Sequence, residues 1–543
     1  MSNLFENLGM SDLQGLIGEE RLKKLEELIP GILQDQTPED IYLKRNLLKI
    51  FESFSGADLL RNKKFRKELL NHVPEEEINE LCKKIRLECK KNSFNKKINK
   101  IISKPWGNNE TTKIFLDFFK LPERYIPSSK IVLPNKERIN FIHKPLKTLK
   151  EFQSKIYFNS IKKLEIPRIR FLIQMPTGSG KTRTAMEIIS EFIKKHPKKS
   201  VLWLAHSEEL CEQAIQCFVD VFSHLIPFPT DIIRTWGKNK LLIPKNPSFI
   251  VAGFQKLNLI NKKNPQLIKK VSEKIGLIIV DEAHKSLAPT YFNSIRAIKG
   301  EETKIIGLTA TPGRGNILGN KKLADFYHNE ILEIEQGNNV SVISFLKKEK
   351  ILAHIINESI ITEIKYPLST KEKEYLRKFF DFSSEFLNKV SQDEIRNIEI
   401  IKRLKKECEL NKKILFFGCN VEHSKNICAM LNFLGIEAAH LDGNTSKDRR
   451  YEVISKFKEG KIQVLCNFGI LTTGFDAPKV EVVFISRPTN SIVLYSQMIG
   501  RGLRGVAIGG TESCKIINVK DNIETYKSPD NVYNYFEEYW KNE

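Results

Sequence analysis

Two short segments carry residue types whose spacing suits work on a polyphosphate. Residues 171–174, an apolar run, pass into Met175, Pro176, Thr177, Gly178, Ser179, Gly180, Lys181 and Thr182, and a helical pattern follows. A glycine-rich turn between a strand and a helix aims backbone N–H groups and the positive helix end at phosphate oxygens. Lys181 then reaches the terminal phosphates, and the Thr182 hydroxyl ligates Mg²⁺. The general pattern G-x-x-x-x-G-K-[ST] wants glycine where Met175 stands, so only the shorter T-G-x-G-K-T form holds. One hundred residues after Lys181, a second apolar run, 277–280, ends in Asp281, Glu282, Ala283 and His284. An acid at a strand tip beside a phosphate loop can hold Mg²⁺, and the adjacent Glu282 can orient and deprotonate an attacking water. Together the segments describe nucleotide hydrolysis with ATP and Mg²⁺.

Such a loop needs a sheet to hold it. Short apolar runs at 171–174, 201–205, 249–252, 277–280 and 304–308 alternate with helical patterns, the rhythm of βαβ units in a parallel sheet. The rhythm pauses between about 340 and 410, where 369–409 reads as charged helix. It resumes at 414–418, 438–441, 464–466, 482–485 and 515–519. Residues 1–130 lack strand-like alternation and read as short helices. Thr37 as N-cap, Pro38, Glu39 and Asp40 predict a helix start ahead of Leu43, Leu47, Leu48, Phe51 and Phe54. The expected partition is a helical accessory domain (1–130), a nucleotide-binding α/β domain (131–340), a linker and helical segment (341–410), and a second α/β domain (411–543) with a short C-terminal helix.

At 543 residues and 62.7 kDa the chain is long enough for about three domains. No apolar run approaches the roughly 20 residues that span a bilayer, and the first residues are neither basic nor followed by an apolar stretch, so a cytoplasmic protein without membrane contact is expected. Nine scattered cysteines without a C-x-x-C pair argue against a disulfide framework and a zinc site. The net charge of +22 has two readings: attraction for a polyanion such as nucleic acid, or a lysine-solvated surface. The same pair of readings applies between 81 and 104, where Lys83, Lys84, Arg86, Lys90, Lys91, Lys96, Lys97, Lys100 and Lys104 face one acid, Glu88.

The phosphate loop and the Asp-Glu-Ala-His segment resemble motifs of the superfamily-two DEAD/DEAH-box helicases, and the remaining motifs follow in order over about residues 145–525. Gln153 resembles the adenine-reading glutamine. His206 and Gln213 fall in a segment similar to the one whose helix N-terminus holds the tracking strand, and Gly253 and Gln255 occupy a further strand contact. Thr309 and Thr311 match the coupling motif, linked to His284. Thr472, Thr473 and Gly474 match donors to a phosphate backbone, with Asp476 facing the ribose or the arginines. Gln497, Arg501 and Arg504 match the sixth motif, whose guanidiniums act as fingers on the γ-phosphate once the domains close.

The resemblance implies an α/β fold of two tandem RecA-like parallel-sheet domains preceded by a small all-α domain. Gln497 stands where the RNA-remodelling DEAD-box group has histidine. With Arg314 and the tail 509–522, it resembles the double-stranded-DNA repair and restriction-type branch. That implies an ATP-dependent helicase or translocase, DNA favoured, serving a genome-maintenance or anti-phage defence complex. An RNA helicase, and a nucleotide-gated binding module that recruits a partner enzyme, stay open as alternatives. Residues 1–130 contribute to none of the motifs, so they are expected to dock a protein partner and to be removable with a folded ATPase left behind.

Overall fold

The computed structural model describes residues 8–33, 37–87, 93–121, 123–126, 134–140, 148–226, 228–313, 317–335, 341–362, 364, 366–379, 381–471 and 479–521. The first sheet contains β1 (Lys136–Ile139), β2 (Arg170–Gln174), β3 (Ser200–Ala205), β4 (Thr230–Thr235), β5 (Ser248–Gly253), β6 (Ile275–Asp281), β7 (Lys304–Thr309) and β8 (Ile331–Leu332). Their order is β1-β4-β5-β3-β6-β7-β2-β8. Only the β1 pairing is antiparallel, so the tips of β2, β3, β5, β6 and β7 share one edge. Ligands of open parallel sheets bind at that edge.

The sequence reading missed β4 because polar residues interrupt its apolar run. Asp231 and Arg234 are buried there, and pairing makes burial tolerable. Lys136 on β1 lies 2.8 Å from Asp231, and Arg234 lies 2.8 Å from Glu137 on β1 and 3.3 Å from Glu212.

The second sheet contains β9 (His354–Ile361), β10 (Ile414–Phe417), β11 (Ala438–Leu441), β12 (Val464–Asn467), β13 (Val482–Ile485) and β14 (Ser513–Lys520). All are parallel, in the order β11-β12-β10-β13-β14-β9. The expectation of a linker over 341–410 therefore needs correction, since β9 pairs with β14 along its whole length. As an edge strand it is exposed on alternate and consecutive residues alike, which erased the period-2 signal. A buried ion pair ties this segment down. Arg396, in helix Glu394–Glu409, donates from Nε to Asp521 Oδ1 (2.8 Å) and from Nη2 to Oδ2 (2.9 Å), and Thr362 Oγ1 donates to Asp521 Oδ1 (2.8 Å).

Ahead of the sheets lie helices including Met10–Ile17, Lys44–Ser55, Lys63–Asn71, Glu75–Lys84, Phe94–Ser103 and Glu110–Phe118. Thr37 and Asp40 form the expected capping box, but on a single 3-10 turn, Pro38–Tyr42; the apolar helix starts afresh at Lys44. In the basic stretch Lys97 turns inward, buried and 2.8 Å from Glu75, so part of that charge is structural. The short C-terminal helix expected near the end of the chain lies outside the described residues.

The helical segment has no separate core. Leu47, Ile50 and Phe51 belong to one buried cluster with Ile401, Leu404, Ile427, Leu431, Phe416 and Phe484 of the second lobe. Helix Lys44–Ser55 lies on helix Val421–Phe433. A Cβ on Gly31 would come within 2.4 Å of Ile398 Cδ1, so the Ile398 side chain packs directly against the glycine backbone. Cutting one buried Leu or Ile to Ala typically costs about 2–5 kcal/mol, and removing the segment uncovers a whole layer. Deletion of 1–130 is therefore expected to give an aggregating second lobe, not the folded ATPase anticipated from motif positions. Dye binding to exposed apolar surface and thermal melting check this, and a soluble truncated chain with an unchanged melt would contradict it.

Candidate functional site

The loop between β2 and helix Lys181–Lys195 is shaped by two left-handed glycines, Gly178 and Gly180, each at φ +86°. L-residues with a Cβ rarely adopt that conformation. Met175, the departure from the general pattern, is fully buried, and its N–H donates to Thr309 O across to β7 (3.1 Å). Ser179 is folded back, its Oγ donating to Pro176 O (2.7 Å). Gln153 holds the loop from behind: its Nε2 donates to Ser179 O (2.9 Å) and its Oε1 accepts from Lys150 N (2.9 Å). A Cβ on Gly180 would lie 2.3 Å from Gln153 Nε2, so the glutamine fills the space that glycine leaves. Thr177, Lys181 and Thr182 line the accessible side of the loop and the first helical turn.

Asp281 ends β6, and Glu282 adopts a left-handed conformation at φ +51°. That is strained for a non-glycine residue and of the kind found at functional sites. Burial and the Glu282 carboxylate push Asp281 up to about 7, against the pull of Lys181. Burial also raises Glu282, but nearby positive groups outweigh it and hold this carboxyl below its ordinary value. Burial brings His284 down to about 4, so its imidazole is neutral near pH 7 and Lys181 and Lys285 carry that pull. His284 Nδ1 sits 3.3 Å from Glu282 Oε2 and 3.3 Å from Thr309 Oγ1. Thr309 Oγ1 in turn donates to Thr311 O (2.8 Å), so the carboxylates connect through His284 to the tip of β7.

The second lobe meets this edge closely. Helix Ile492–Ile499 ends at Gly500, where a Cβ would lie 2.8 Å from Thr177 Cβ. Arg504 forms an antiparallel bridge with Leu352, and its Cγ is 3.4 Å from where a Cβ on Gly178 would stand. Burial lowers Arg501 to about 10, opposed by the Glu282 carboxylate. The Gln497 amide nitrogen is buried without a hydrogen-bond partner among the described residues. A further tie between lobes is the ion pair of Arg450, in helix Lys447–Lys458, with Glu209. Gly500, Leu352 and Lys285 were missed by sequence reasoning. Gly500 had a signal, its place inside the sixth motif; Leu352 had none, because only folding brings it to the loop.

The candidate strand contacts divide. Gln213, in helix Glu208–Leu225, and Gln255, at the start of helix Phe254–Lys263, are exposed, and Gly253 caps the latter helix at the β5 tip. His206, just past the tip of β3, is partly buried: burial and Lys285 push it down to about 4, opposed by Glu282 and Glu209. Thr472, Thr473, Gly474, Asp476 and Arg314 lie outside the described residues.

With this geometry in hand, two family models match: residues 146–314 the one described as type III restriction enzyme, res subunit, and residues 396–506 the helicase conserved C-terminal domain. A provisionally named ATP-dependent helicase of Saccharomyces cerevisiae, IRC3, is 30% identical over 348 residues, covering 62% of this chain and 46% of that protein. The provisionally named mitochondrial ATP-dependent helicase irc3 of Schizosaccharomyces pombe is 28% identical over 390 residues, covering 68% and 58%. The chain thus spans about half the length of these curated relatives. The solved fragment of a provisionally named HsdR subunit of a type I restriction enzyme from Vibrio vulnificus superimposes with a TM-score of 0.50 at 19% identity, over 69% of this chain and 65% of that one, a likeness of fold alone. Two tandem parallel sheets, the phosphate loop, the strand-tip carboxylates and the two matched models agree: over residues 146–314 and 396–506 the chain carries the two halves of a superfamily-two helicase core, the first of them similar to restriction-type res subunits.

Proposed function

We propose that the protein is an ATP-dependent motor on nucleic acid, with DNA the favoured track. The observation that carries this reading is the meeting of two half-sites, with Gly500 against Thr177 and Arg504 against Gly178. The residues suit a nucleoside triphosphate and a hard divalent cation. Gly178 and Gly180 give the loop the left-handed turns that a Cβ would strain, and Thr182 and Asp281 offer oxygen donors of the class Mg²⁺ prefers. When bound, the cation supplies neutralisation of charge shared between phosphate oxygens. In this reading Thr182 and Asp281 hold it, while Thr177, Gly178, Ser179, Gly180 and Lys181 surround the phosphates. Gln153 keeps the loop in shape and meets the base, and Asp476 meets the ribose.

Glu282 orients the attacking water and accepts its proton. Gln497, Arg501 and Arg504 offset negative charge from the opposite lobe, so turnover requires closure. His284, Thr309 and Thr311 transmit the closed state toward the strand track made of Gln213, Gly253, Gln255, Thr472, Thr473 and Gly474. His206, just past the tip of β3, joins that track. Among the described residues no helix is long and apolar enough to cross a membrane. Cytoplasmic residence, and a place for the helical segment 1–130 as the dock of a protein partner in a genome-maintenance or anti-phage defence complex, belong to the same proposal.

An ATPase assay with single- and double-stranded DNA and RNA tests the reading. Stimulation by DNA above RNA is expected, stimulation by RNA alone would favour an RNA helicase, and binding without turnover would favour a nucleotide-gated module. Lys181→Ala should weaken nucleotide binding and turnover together, whereas Glu282→Gln should retain binding and lose turnover, measured by fluorescent-nucleotide titration beside phosphate release. Arg501→Ala should lower hydrolysis by about 10³- to 10⁵-fold, the range of arginine fingers in related phosphoryl transfers, with nucleotide-free DNA affinity little changed. Gly500→Ala should hold the lobes apart through Thr177 and slow hydrolysis, while Gly443→Ala, whose added Cβ meets nothing within 4 Å, should not.

A further inference from the structure

Helix Thr370–Phe379 carries no buried residue, and Leu376 alone packs from it onto the small cluster of Phe382, Phe386, Leu387 and Val390. Its outer side presents two aromatic rings one turn apart. Tyr375 is 39% exposed and Phe379 54% exposed, with ring centroids 4.4 Å apart and planes inclined at 38°. Two large rings held together in solvent bury little against the protein, so their apolar faces are available to something else. The surrounding charge is basic: Lys371, Lys373, Arg377 and Lys378 outnumber Glu372 and Glu374. Glu372 is spent on capping the helix, its carboxylate accepting from Ser369 N (2.8 Å). Lys378 Nζ lies 5.4 Å from the Phe379 ring centroid, a cation beside an open π-face.

The helix is anchored where the second half-site begins. Asp381, two residues beyond Phe379, accepts from Arg487 Nη2 (2.9 Å), Thr489 Oγ1 (2.9 Å) and Asn490 N (3.2 Å). These residues join the tip of β13 to the helix that carries Gln497. Arg487 also lies over the Phe468 ring, 5.4 Å from its centroid, just past the tip of β12. The aromatic pair therefore stands on the same edge of the second sheet as the residues assigned to the motor. Paired exposed rings amid cations match the composition of stacking platforms for unpaired bases, on which every base offers a π-face and the cations follow the backbone.

We propose that Tyr375 and Phe379 form a base-stacking platform for a single strand of nucleic acid running along the second lobe. This rests on the reading of the chain as a nucleic-acid motor, and it adds a contact to bases that none of the motor motifs supplies. The test uses the full chain and two labelled oligonucleotides, a thymidine strand and an abasic strand of equal length with the same phosphates but no bases. Wild type should bind the thymidine strand more tightly. Tyr375→Ala with Phe379→Ala should lose that preference, with thymidine-strand affinity falling roughly 5- to 150-fold per lost stack, while abasic-strand affinity and the melting temperature stay unchanged. Tyr375→Phe with Phe379→Tyr should restore the preference. If the double alanine variant does not fold, Phe379→Ser alone reads the same preference from an exposed ring. Equal loss on both strands, or no loss on either, overturns the platform and leaves the face to a protein partner. Failure of wild type to bind either strand overturns both this inference and the motor reading.

Discussion

Gly500 has no room for a side chain, because a Cβ there would press 2.8 Å from Thr177 of the other lobe and 2.9 Å from Ser496 O of its own helix. That contact brings two parallel sheets edge to edge. In a parallel sheet all strands point one way, so the loops after β2, β6 and β7 gather at one rim, and those after β12 and β13 gather at the rim of the other sheet. Neither rim is a site alone. One holds the phosphate loop and the carboxylates, and the other holds Gln497, Arg501 and Arg504. Chemistry that requires both is thereby coupled to the distance between lobes.

That coupling demands stiff lobes, and the structure stiffens them with buried polar ties as well as apolar packing. Arg396 and Asp521 are both fully enclosed and joined by two hydrogen bonds. A buried pair of this kind contributes little net stability, but removing either member leaves an unmatched charge at a cost of about 3–5 kcal/mol. It therefore specifies where β9, helix Glu394–Glu409 and the end of β14 meet. The N-terminal helices act similarly through apolar contact. They complete the core under helix Val421–Phe433 and so form one packed unit with the second lobe.

Electrostatics at the first rim follow from burial. The strand-tip carboxylates are enclosed: burial and its neighbour push Asp281 toward the neutral form, while Lys181 and Lys285 favour the charge on Glu282, which lies 3.3 Å from His284. The backbone at Glu282 takes a left-handed conformation, at φ +51°. His206, just past the tip of β3, is held down by burial and Lys285 against the pull of Glu282 and Glu209.

Much of this was legible in the linear chain. The phosphate loop, the Asp281-Glu282 pair and the ten apolar strands that alternate with helices are local patterns, set by residue type at short spacing, and the two-sheet α/β class follows from their rhythm. What tertiary structure decided are matters of partnership between distant residues. β4 required knowing that Arg234 would meet Glu137 and Glu212, and β9 required knowing that β14 would pair with an otherwise irregular edge. The helices before residue 130 look self-sufficient as sequence, since amphipathic periodicity says that a face is buried but not against what. Only packing reveals that the face belongs to Ile427, Leu431 and Ile401. In the same way Gln153 reads as a base-contacting residue from its motif, and only the fold shows that its amide also ties the loop at Ser179 to the helix start at Lys150. Local chemistry is written in short spacing, whereas burial partners are chosen by the whole folded chain, and no window of sequence contains them.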